Sequence, residues 1–262
     1  MKKILFAASE CVPFIKTGGL ADVVGSLPKY FNKEEYDVRV IMPKYLCIKE
    51  SLRSQMKYVT HFYTDFYWRT QYVGVLEMEY EGVHFYFVDS EFYFGGPWPY
   101  GNMYEDIEKF CFFSKAVLSI LPLIGFKPDI IHCHGWMTAL APLYIKKAYK
   151  DEPSFRDAKV VFSVFEDDFK ESFNADFVNR LVLKGVTKKD VAHLKTPVDY
   201  ATLCKLAIDY SDGVIQQSEN VNEEVMEYTR QAGKPILEYQ TPETFADACN
   251  EFYDKVWETE QK

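Results

Sequence analysis

The sequence predicts one α/β domain with a doubly wound, mostly parallel, Rossmann-like sheet that carries an antiparallel extension. Three observations predict this fold. Continuous apolar runs, typical of strands buried on both faces, alternate with segments of helical periodicity. The strand–loop–helix–strand order of residues 2–43 is that of a right-handed βαβ unit. Residues 56–89 have instead the pattern of successive, partly alternating strands, with Glu81-Gly82 as the turn between the last two.

The individual elements follow from local patterns. The run "KKILFAAS" (2–9) predicts the first buried strand, and Pro43 ends the second. We expect further strands at 128–135, 158–165, 212–218 and 234–239, and helices at 20–31, 105–123, 137–149, 175–183, 188–194, 200–210, 221–231 and 242–259. Since no repeat or linker interrupts this order, we expect residues 1–262 to form a single domain.

Composition narrows the function classes. The chain has 48% hydrophobic and 26% charged residues, as expected for a globular protein with a large core. A net charge of −9 argues against a general nucleic-acid or membrane-surface binder. The chain has no apolar run long enough to span a membrane, and the N-terminus has the pattern of a buried strand rather than a signal peptide. We therefore expect a cytoplasmic protein.

The loop after the first strand is the first candidate site, because ligands of such sheets bind at the carboxyl ends of the strands. It contains Glu10 and then Lys16, Thr17, Gly18 and Gly19. The glycines would let a diphosphate approach the backbone N–H groups of the next helix, and Lys16 would add positive charge. No G-x-G-x-x-G follows the strand, so a dinucleotide fingerprint is missing. The residues alone leave an ordinary strand-to-helix turn as the alternative.

An aromatic loop at 94–104 is the second candidate. It contains Trp98, Tyr100 and Tyr104, and aromatic faces with hydroxyl groups are common partners of sugar rings. The alternative is a loop that packs on its own domain.

The segment "HCHGW" (132–136) is the third candidate, since His132 and His134 fall on one face of a strand. A zinc site needs further ligands, and none stands at suggestive spacing, so we predict no metal. We expect instead hydrogen-bonded histidines near a ligand cleft. The acidic run "EDDFKE" (166–171) is interpreted as a solvated loop that would disfavour a diphosphate nearby.

Several motifs together resemble one family. The segment "ILFAASECVPFIKTGGLADVVGSLPKYF" closely resembles the N-terminus of bacterial glycogen synthases and plant starch synthases, which are ADP-glucose-dependent glucosyltransferases with the GT-B fold. The segments "DVRVIMPKY", "YFVDSEFYF", "PYGNMYEDIEKFCFFSKAVL" and "KPDIIHCHGW" follow in the family's order. The resemblance implies the N-terminal half of a GT-B fold.

The resemblance also implies residue roles. On the side of the ADP-glucose diphosphate and nucleotide it places Lys16, Gly18, Gly19 and Asp22. On the glucan-acceptor side it places Glu10, Tyr100, His134 and Trp136. It implies a retaining glucosyl transfer with no cofactor and no obligatory metal. The expected ligands are ADP or ADP-glucose and an α-glucan, bound weakly.

Departures from the family pattern predict an incomplete enzyme. Phe165 stands at the position of the family's active-site histidine, Glu166 at that of its asparagine, and Gly135 replaces an aspartate. The second GT-B domain, which supplies a basic clamp and much of the nucleoside pocket, does not follow in these 262 residues. We therefore expect negligible activity of this chain alone.

Three further hypotheses remain open from the sequence. The chain is a mosaic of two homologous domains with a junction near 133–137, or a non-catalytic glucan- or partner-binding domain, or an engineered protein that retains only the fold. The face that would meet a second GT-B domain could also bind a partner chain or a second copy.

Overall fold

The structure, a computed structural model, describes residues 1–101, 103–169, 171–173, 175–181, 183–192, 194 and 197–259. Within these ranges nine strands form one sheet in the order β3-β4-β5-β2-β1-β6-β7-β8-β9. The strands are β1 (Lys2–Ala7), β2 (Tyr36–Pro43), β3 (Lys57–Phe66), β4 (Arg69–Tyr80), β5 (Val83–Asp89), β6 (Ile130–His134), β7 (Lys159–Val164), β8 (Gly213–Gln216) and β9 (Ile236–Leu237).

Helices cover the sheet. They are α1 (Gly19–Ser26), α2 (Glu50–Arg53), α3 (Glu91–Phe94), α4 (Met103–Ile124), α5 (Leu140–Lys146), α6 (Ala175–Arg180), α7 (Tyr200–Asp209), α8 (Glu223–Gln231) and α9 (Pro242–Glu258). Two 3-10 turns, Leu27–Tyr30 and Trp136–Thr138, extend α1 and precede α5. No helix in the described part of the chain is long and apolar enough to cross a bilayer.

The predicted fold class is confirmed. β1 pairs in parallel with β2 and with β6, and its residues Ile4–Ala7 are buried. β3, β4 and β5 are joined by antiparallel pairs, and β5 then adds to β2 in parallel, so residues 57–80 are the predicted extension. Glu81 and Gly82 both have positive φ, at 48° and 76°, as a two-residue type I′ hairpin requires.

The strand order predicts a ligand crevice next to β1. The chain builds β2 and β5 on one side of β1 and then returns to build β6, β7, β8 and β9 on the other. Ligands of doubly wound sheets bind at the carboxyl ends of the strands where the order reverses. This switch point lies between β1 and β6, so Glu10 and Gly135, which follow those strands, lie at the same edge of the sheet, where the crevice is expected.

One predicted helix is wrong. Residues 188–192 form successive turns, because the Asp190 carboxylate accepts hydrogen bonds from the N–H and hydroxyl of Thr187 (2.9 and 2.7 Å). Such side-chain bonds compete with helix formation. Lys147 holds the same aspartate in an ion pair of 2.8 Å. The end of this predicted helix, at residue 193, lies outside the described residues.

Candidate functional site

Glu10 holds the glycine loop against β1. It is 3% exposed, and its carboxylate accepts hydrogen bonds from the N–H of Thr17 and from the Thr17 hydroxyl (3.1 Å). Burial raises the pKa of Glu10, the hydrogen bonds from Thr17 oppose that shift, and the charge of Asp167 reinforces it. Glu10 therefore fixes the start of α1 at the carboxyl end of β1.

The fold itself does not require glycine at 18 or 19. Gly18 has φ −147° and ψ −172°, an extended conformation that any residue adopts. A Cβ on Gly18 would have Glu10 Oε1 as its nearest neighbour, at 3.9 Å, and a Cβ on Gly19 would meet no atom within 4 Å. Both side-chain positions thus open on free space at the N-terminus of α1. The space is available to a ligand that approaches the backbone N–H groups.

Lys16 lies beside this helix terminus. Its ammonium group forms an ion pair of 2.7 Å with Asp22, and both side chains are about half exposed. Exposed pairs of this kind contribute about 0–1 kcal/mol to stability. An anionic ligand at the N-terminus of α1 can therefore compete with Asp22 for Lys16 at small cost.

Tyr100 brings the aromatic loop to the same crevice. Its hydroxyl donates to Ser9 Oγ (2.9 Å), one residue before Glu10, and burial raises the pKa of Tyr100. Trp98 is 75% exposed, so its side chain faces solvent, whereas the half-buried Tyr100 side chain faces β1. The Tyr104 side chain lies outside the described residues.

The two histidines of β6 differ in their hydrogen bonding. His132 bonds through Nδ1 to the Tyr253 hydroxyl and through Nε2 to Ser163 Oγ (2.6 Å), which confirms the predicted hydrogen bonding for this histidine. Among the described residues, the same prediction is wrong for His134. His134 is fully buried, its ring centroid lies 3.8 Å from that of His132, and neither of its nitrogens has a hydrogen-bond partner within the described ranges. Among the described residues, no group of three or more His, Cys, Asp or Glu could hold a metal ion.

Gly135 and Phe165 form the apolar side of the crevice beyond β6. Gly135 has φ +73°, and a Cβ there would lie 2.8 Å from Leu20 Cδ1. Because both the backbone and the contact are unfavourable for a side chain, glycine is required at this position. Phe165 is 4% exposed and its ring lies 6.3 Å from that of His134.

Sequence reasoning missed Asp167. Its Oδ2 is buried, has no hydrogen-bond partner within the described ranges, and lies 3.7 Å from the position of a Cβ on Gly135. Burial and the charge of Glu166 raise the pKa of Asp167. The predicted solvated loop fits Glu166 and Asp168, which are exposed, but not Asp167. The sequence offered no signal for this, because β7 is buried at every position and residues 165–168 follow it in a loop.

Trp136 completes an aromatic wall. It is half-buried in the 3-10 turn after β6 and packs between Phe110 (ring centroids 5.5 Å apart) and Phe169 (5.1 Å). The structure thus gathers most predicted site residues at the ends of β1 and β6. Their assigned roles in binding remain predictions.

Acid is expected to destabilise the fold through the buried histidines. Burial lowers the pKa of His134 to about 3 and that of His132 well below its usual value. The unfolded chain takes up these protons below about pH 6.5 and the folded chain does not, so the free energy of unfolding falls as the pH drops from about 6.5 towards 3. His134 alone should cost about 2 kcal/mol between pH 7 and pH 5. The raised pKa values of Glu10 and Asp167 act in the opposite sense at lower pH.

Urea unfolding at pH 7 and pH 5 measures this effect. His134→Gln removes one buried histidine and should shrink the stability difference between the two pH values by about 2 kcal/mol. His61→Gln is the control, because His61 is an exposed histidine on β3 and the difference should persist. If the His134→Gln variant loses as much stability between pH 7 and pH 5 as the parent chain, the lowered pKa of His134 is contradicted.

Fold and crevice together define a class. The doubly wound, Rossmann-like sheet with its switch point between β1 and β6 is the fold of one half of a GT-B protein. The solved catalytic domain of starch synthase IV from Arabidopsis thaliana, bound to ADP and acarbose, superposes with a TM-score of 0.74. At 23% identity, with 91% of this chain and 51% of that chain covered, this match concerns the fold.

Sequence comparison gives the family. The model described as starch synthase catalytic domain matches residues 3–237. A glycogen synthase of Lachnospira eligens is 50% identical over 236 residues, covering 86% of this chain and 47% of the relative. A glycogen synthase of Desulforamulus reducens is 40% identical, with 85% and 46% covered. The chain therefore belongs to the glycogen and starch synthase family, and it spans about half the length of the curated relatives it matches.

Proposed function

We propose that this chain provides one side of a glycogen-synthase cleft, which binds the diphosphate of ADP or ADP-glucose and an α-glucan. The observation that carries the proposal is the pair of glycines at the N-terminus of α1, which the fold does not require and which open on free space beside Lys16. Membership of the glycogen and starch synthase family supports the choice of ligands. So does the Arabidopsis starch synthase, which was solved with ADP and acarbose.

The diphosphate would bind at the start of α1. The first N–H groups of a helix have no partner within the helix and carry partial positive charge, so they attract phosphate oxygens. Lys16 would exchange Asp22 for a phosphate, and the open positions at Gly18 and Gly19 would let the oxygens reach the backbone. Asp22 in the first turn of α1 would then contact the nucleotide side of the ligand.

The glucan would bind across the crevice. Glu10 and Tyr100 lie at the end of β1, and Trp136 offers a partly exposed indole at the end of β6. The Asp167 side chain is half-buried beside Gly135, so its carboxylate lies close to this part of the crevice, whereas His134 is fully buried behind it. No cofactor or metal is part of this proposal.

Phe165 favours a second candidate, a cleft that binds its ligands without transferring glucose. The family resemblance places an active-site histidine at this position, and a phenylalanine neither donates a hydrogen bond nor carries charge. The second candidate binds the same ligands as the first but does not transfer glucose.

Calorimetric titration with ADP tests the proposed binding. Lys16→Ala should weaken ADP binding about tenfold, because a charge-assisted hydrogen bond contributes about 1.5–3 kcal/mol. Lys29→Ala is the matched control, since Lys29 is also an exposed lysine in an ion pair, with Glu81, but follows the C-terminal end of α1. Its ADP affinity should equal that of the parent chain. Equal affinities of the Lys16 and Lys29 variants would exclude a diphosphate role for Lys16.

A further inference from the structure

Strand β3 forms one edge of the sheet. It pairs with β4 on one side, and no strand in the described part of the chain pairs with its other side. The β3–β4 register is irregular between Tyr58 and Thr60, so residues 60–66 are the regular part of the strand. A bulge limits unwanted pairing at an edge, but residues 60–66 contain neither proline nor lysine, two residues that protect other edges. This segment can therefore accept a further strand.

The hairpin determines which backbone groups of β3 face outward. Phe66 is the last residue before a two-residue turn, so it forms a hydrogen-bonded pair with β4, and so does every second residue before it. The N–H and C=O groups of His61, Tyr63 and Asp65 therefore point away from β4. The hydrogen bond that the Lys115 ammonium group donates to the Asp65 carbonyl oxygen agrees with this direction. Because a carbonyl oxygen has two lone pairs, Asp65 can still bond a partner strand.

Exposed aromatic side chains cluster on the same hairpin. Within residues 58–72 the exposed large aromatic side chains are Tyr58, Tyr63, Tyr67, Trp68 and Tyr72. Tyr63 is 67% exposed, and its ring centroid lies 5.8 Å from that of Tyr72 on β4. Scattered exposed aromatic residues need no explanation, but a contiguous patch of them marks an interaction surface. Since tyrosine and tryptophan are enriched at protein–protein interfaces, the patch and the open backbone groups together favour a protein strand as the partner.

The regular segment is complementary to a second copy of itself. A two-fold axis at Tyr63 places residues 60–66 of two copies antiparallel and in full overlap, and His61 of each copy then lies opposite Asp65 of the other. Residues 61, 63 and 65 are all exposed. When the Tyr58 hydroxyl donates to Nδ1 of His61, Nε2 carries the proton and can donate it to the opposite carboxylate. This symmetric pattern favours a second copy over an unrelated strand.

We propose that two copies of this chain associate through β3, which pairs antiparallel with β3 of the second copy about a two-fold axis at Tyr63. The pairing continues one sheet across both copies through backbone hydrogen bonds at residues 61, 63 and 65. The rings of Tyr63 and Tyr72 from the two copies form one row on the exposed face. Three strands, β4, β5 and β2, separate β3 from β1, so the crevice lies outside this interface. The inference is independent of the proposed function.

Cysteine cross-linking tests the axis. In a hydrogen-bonded antiparallel pair the Cα atoms lie about 5.5 Å apart, within the range that a disulfide bridges. Tyr63→Cys should therefore form at least about tenfold more covalent dimer than Tyr72→Cys under mild oxidation, as seen by non-reducing electrophoresis. Tyr72→Cys is the matched control, because Tyr72 faces the same side as its β4 neighbour of Tyr63 but would lie three strand spacings, about 14 Å, from its copy. The parent chain, with six free cysteines of which only Cys47 is partly exposed, gives the background.

Mixed cysteine variants test the register. In the proposed pairing each copy of residue 61 lies about 13 Å from the other along the strands, and the same holds for residue 65. His61→Cys and Asp65→Cys should therefore not cross-link alone, whereas an equal mixture of the two should. Cross-linking of either variant alone at the level of the mixture would overturn this register.

Sedimentation equilibrium measures the association of the parent chain itself. The apparent mass should rise with concentration from that of a monomer towards that of a dimer. Tyr63→Pro should weaken the dimer at least about tenfold, because the N–H that it removes points outward, and proline is tolerated at such positions of an edge strand. Circular dichroism shows whether this variant is folded.

Three results would overturn the inference. One is a parent chain that stays monomeric at every concentration. Another is a dimer that forms equally well in folded Tyr63→Pro, since a different face would then hold the copies together. The third is cross-linking of Tyr63→Cys no greater than that of Tyr72→Cys, which decides the question even where the proline variant does not fold.

Discussion

The 262-residue chain is expected to transfer glucose from ADP-glucose to glycogen at least about 100-fold more slowly than a glycogen synthase such as that of Lachnospira eligens. Two features support this expectation: Phe165 occupies the position that the family resemblance assigns to an active-site histidine, and the chain spans about half the length of that relative. Loss of one preorganised hydrogen-bond donor typically lowers the rate by a factor of about 10²–10³. Incorporation of labelled glucose into glycogen, at equal protein concentration, measures the difference.

Two controls make that result interpretable. ADP calorimetry on the same preparation shows whether the chain is folded and binds the proposed ligand, so that misfolding can be separated from a low rate of transfer. A histidine-to-phenylalanine change at the equivalent position of the Lachnospira eligens protein should lower its rate by the same factor. Turnover by this chain within tenfold of the relative would refute the prediction.

The replacement at position 165 is part of a larger change at the ends of β6 and β7. Gly135, where the family pattern has an aspartate, has φ +73° and faces Leu20, so this backbone does not accommodate a larger side chain without strain. Asp167 places a carboxylate oxygen 3.7 Å from the Cβ position of residue 135. A carboxylate is thus present close to that position but comes from the loop that follows the neighbouring strand, β7. Replacing Phe165 with histidine would therefore leave Gly135 and Asp167 unchanged beside it.

Much of the fold could be predicted because its signals are local. Buried apolar runs marked β1 and β2, and Glu81-Gly82 marked a hairpin whose two positive φ angles any I′ turn needs. The helix predicted at 188–194 failed for an equally local reason, since the bonds between Asp190 and Thr187 favour separate turns. The spacing of apolar residues predicts a helix without regard to side chains, such as that of Asp190, that bond the backbone in a competing turn.

The site could be predicted only in outline. The order of strands places the loops after β1 and β6 together, so the positions of Glu10 and Gly135 followed from topology. The partners of individual side chains did not. Tyr253 bonds His132 from 121 residues away, and nothing in the sequence near His134 indicates that its nitrogens have no partner among the described residues. These contacts depend on packing between distant elements, which periodicity does not encode.

Gly25→Ala is expected to lower the free energy of unfolding by about 3 kcal/mol, at the upper end of typical overpacking costs. Gly25 is buried on α1, and a Cβ there would lie 2.3 Å from Val12 Cγ2 and 2.8 Å from the Val12 carbonyl oxygen. The same loop donates the Val12 N–H to Ala21 O (3.1 Å), so it cannot move away without losing a hydrogen bond. Alanine's higher helix propensity offsets at most about 1 kcal/mol of the loss.

Gly19→Ala is the control within the same helix, and urea unfolding measures both variants. It has the same gain in helix propensity, but its Cβ meets no atom within 4 Å, so its stability should stay equal or rise by up to about 1 kcal/mol. A Gly25→Ala variant as stable as the parent would contradict the close packing of α1 on the loop. The contrast matters for the site: packing explains glycine at position 25, whereas at position 19 the fold gives no reason for it. A stable Gly19→Ala variant with weakened ADP binding would leave ligand approach as the reason.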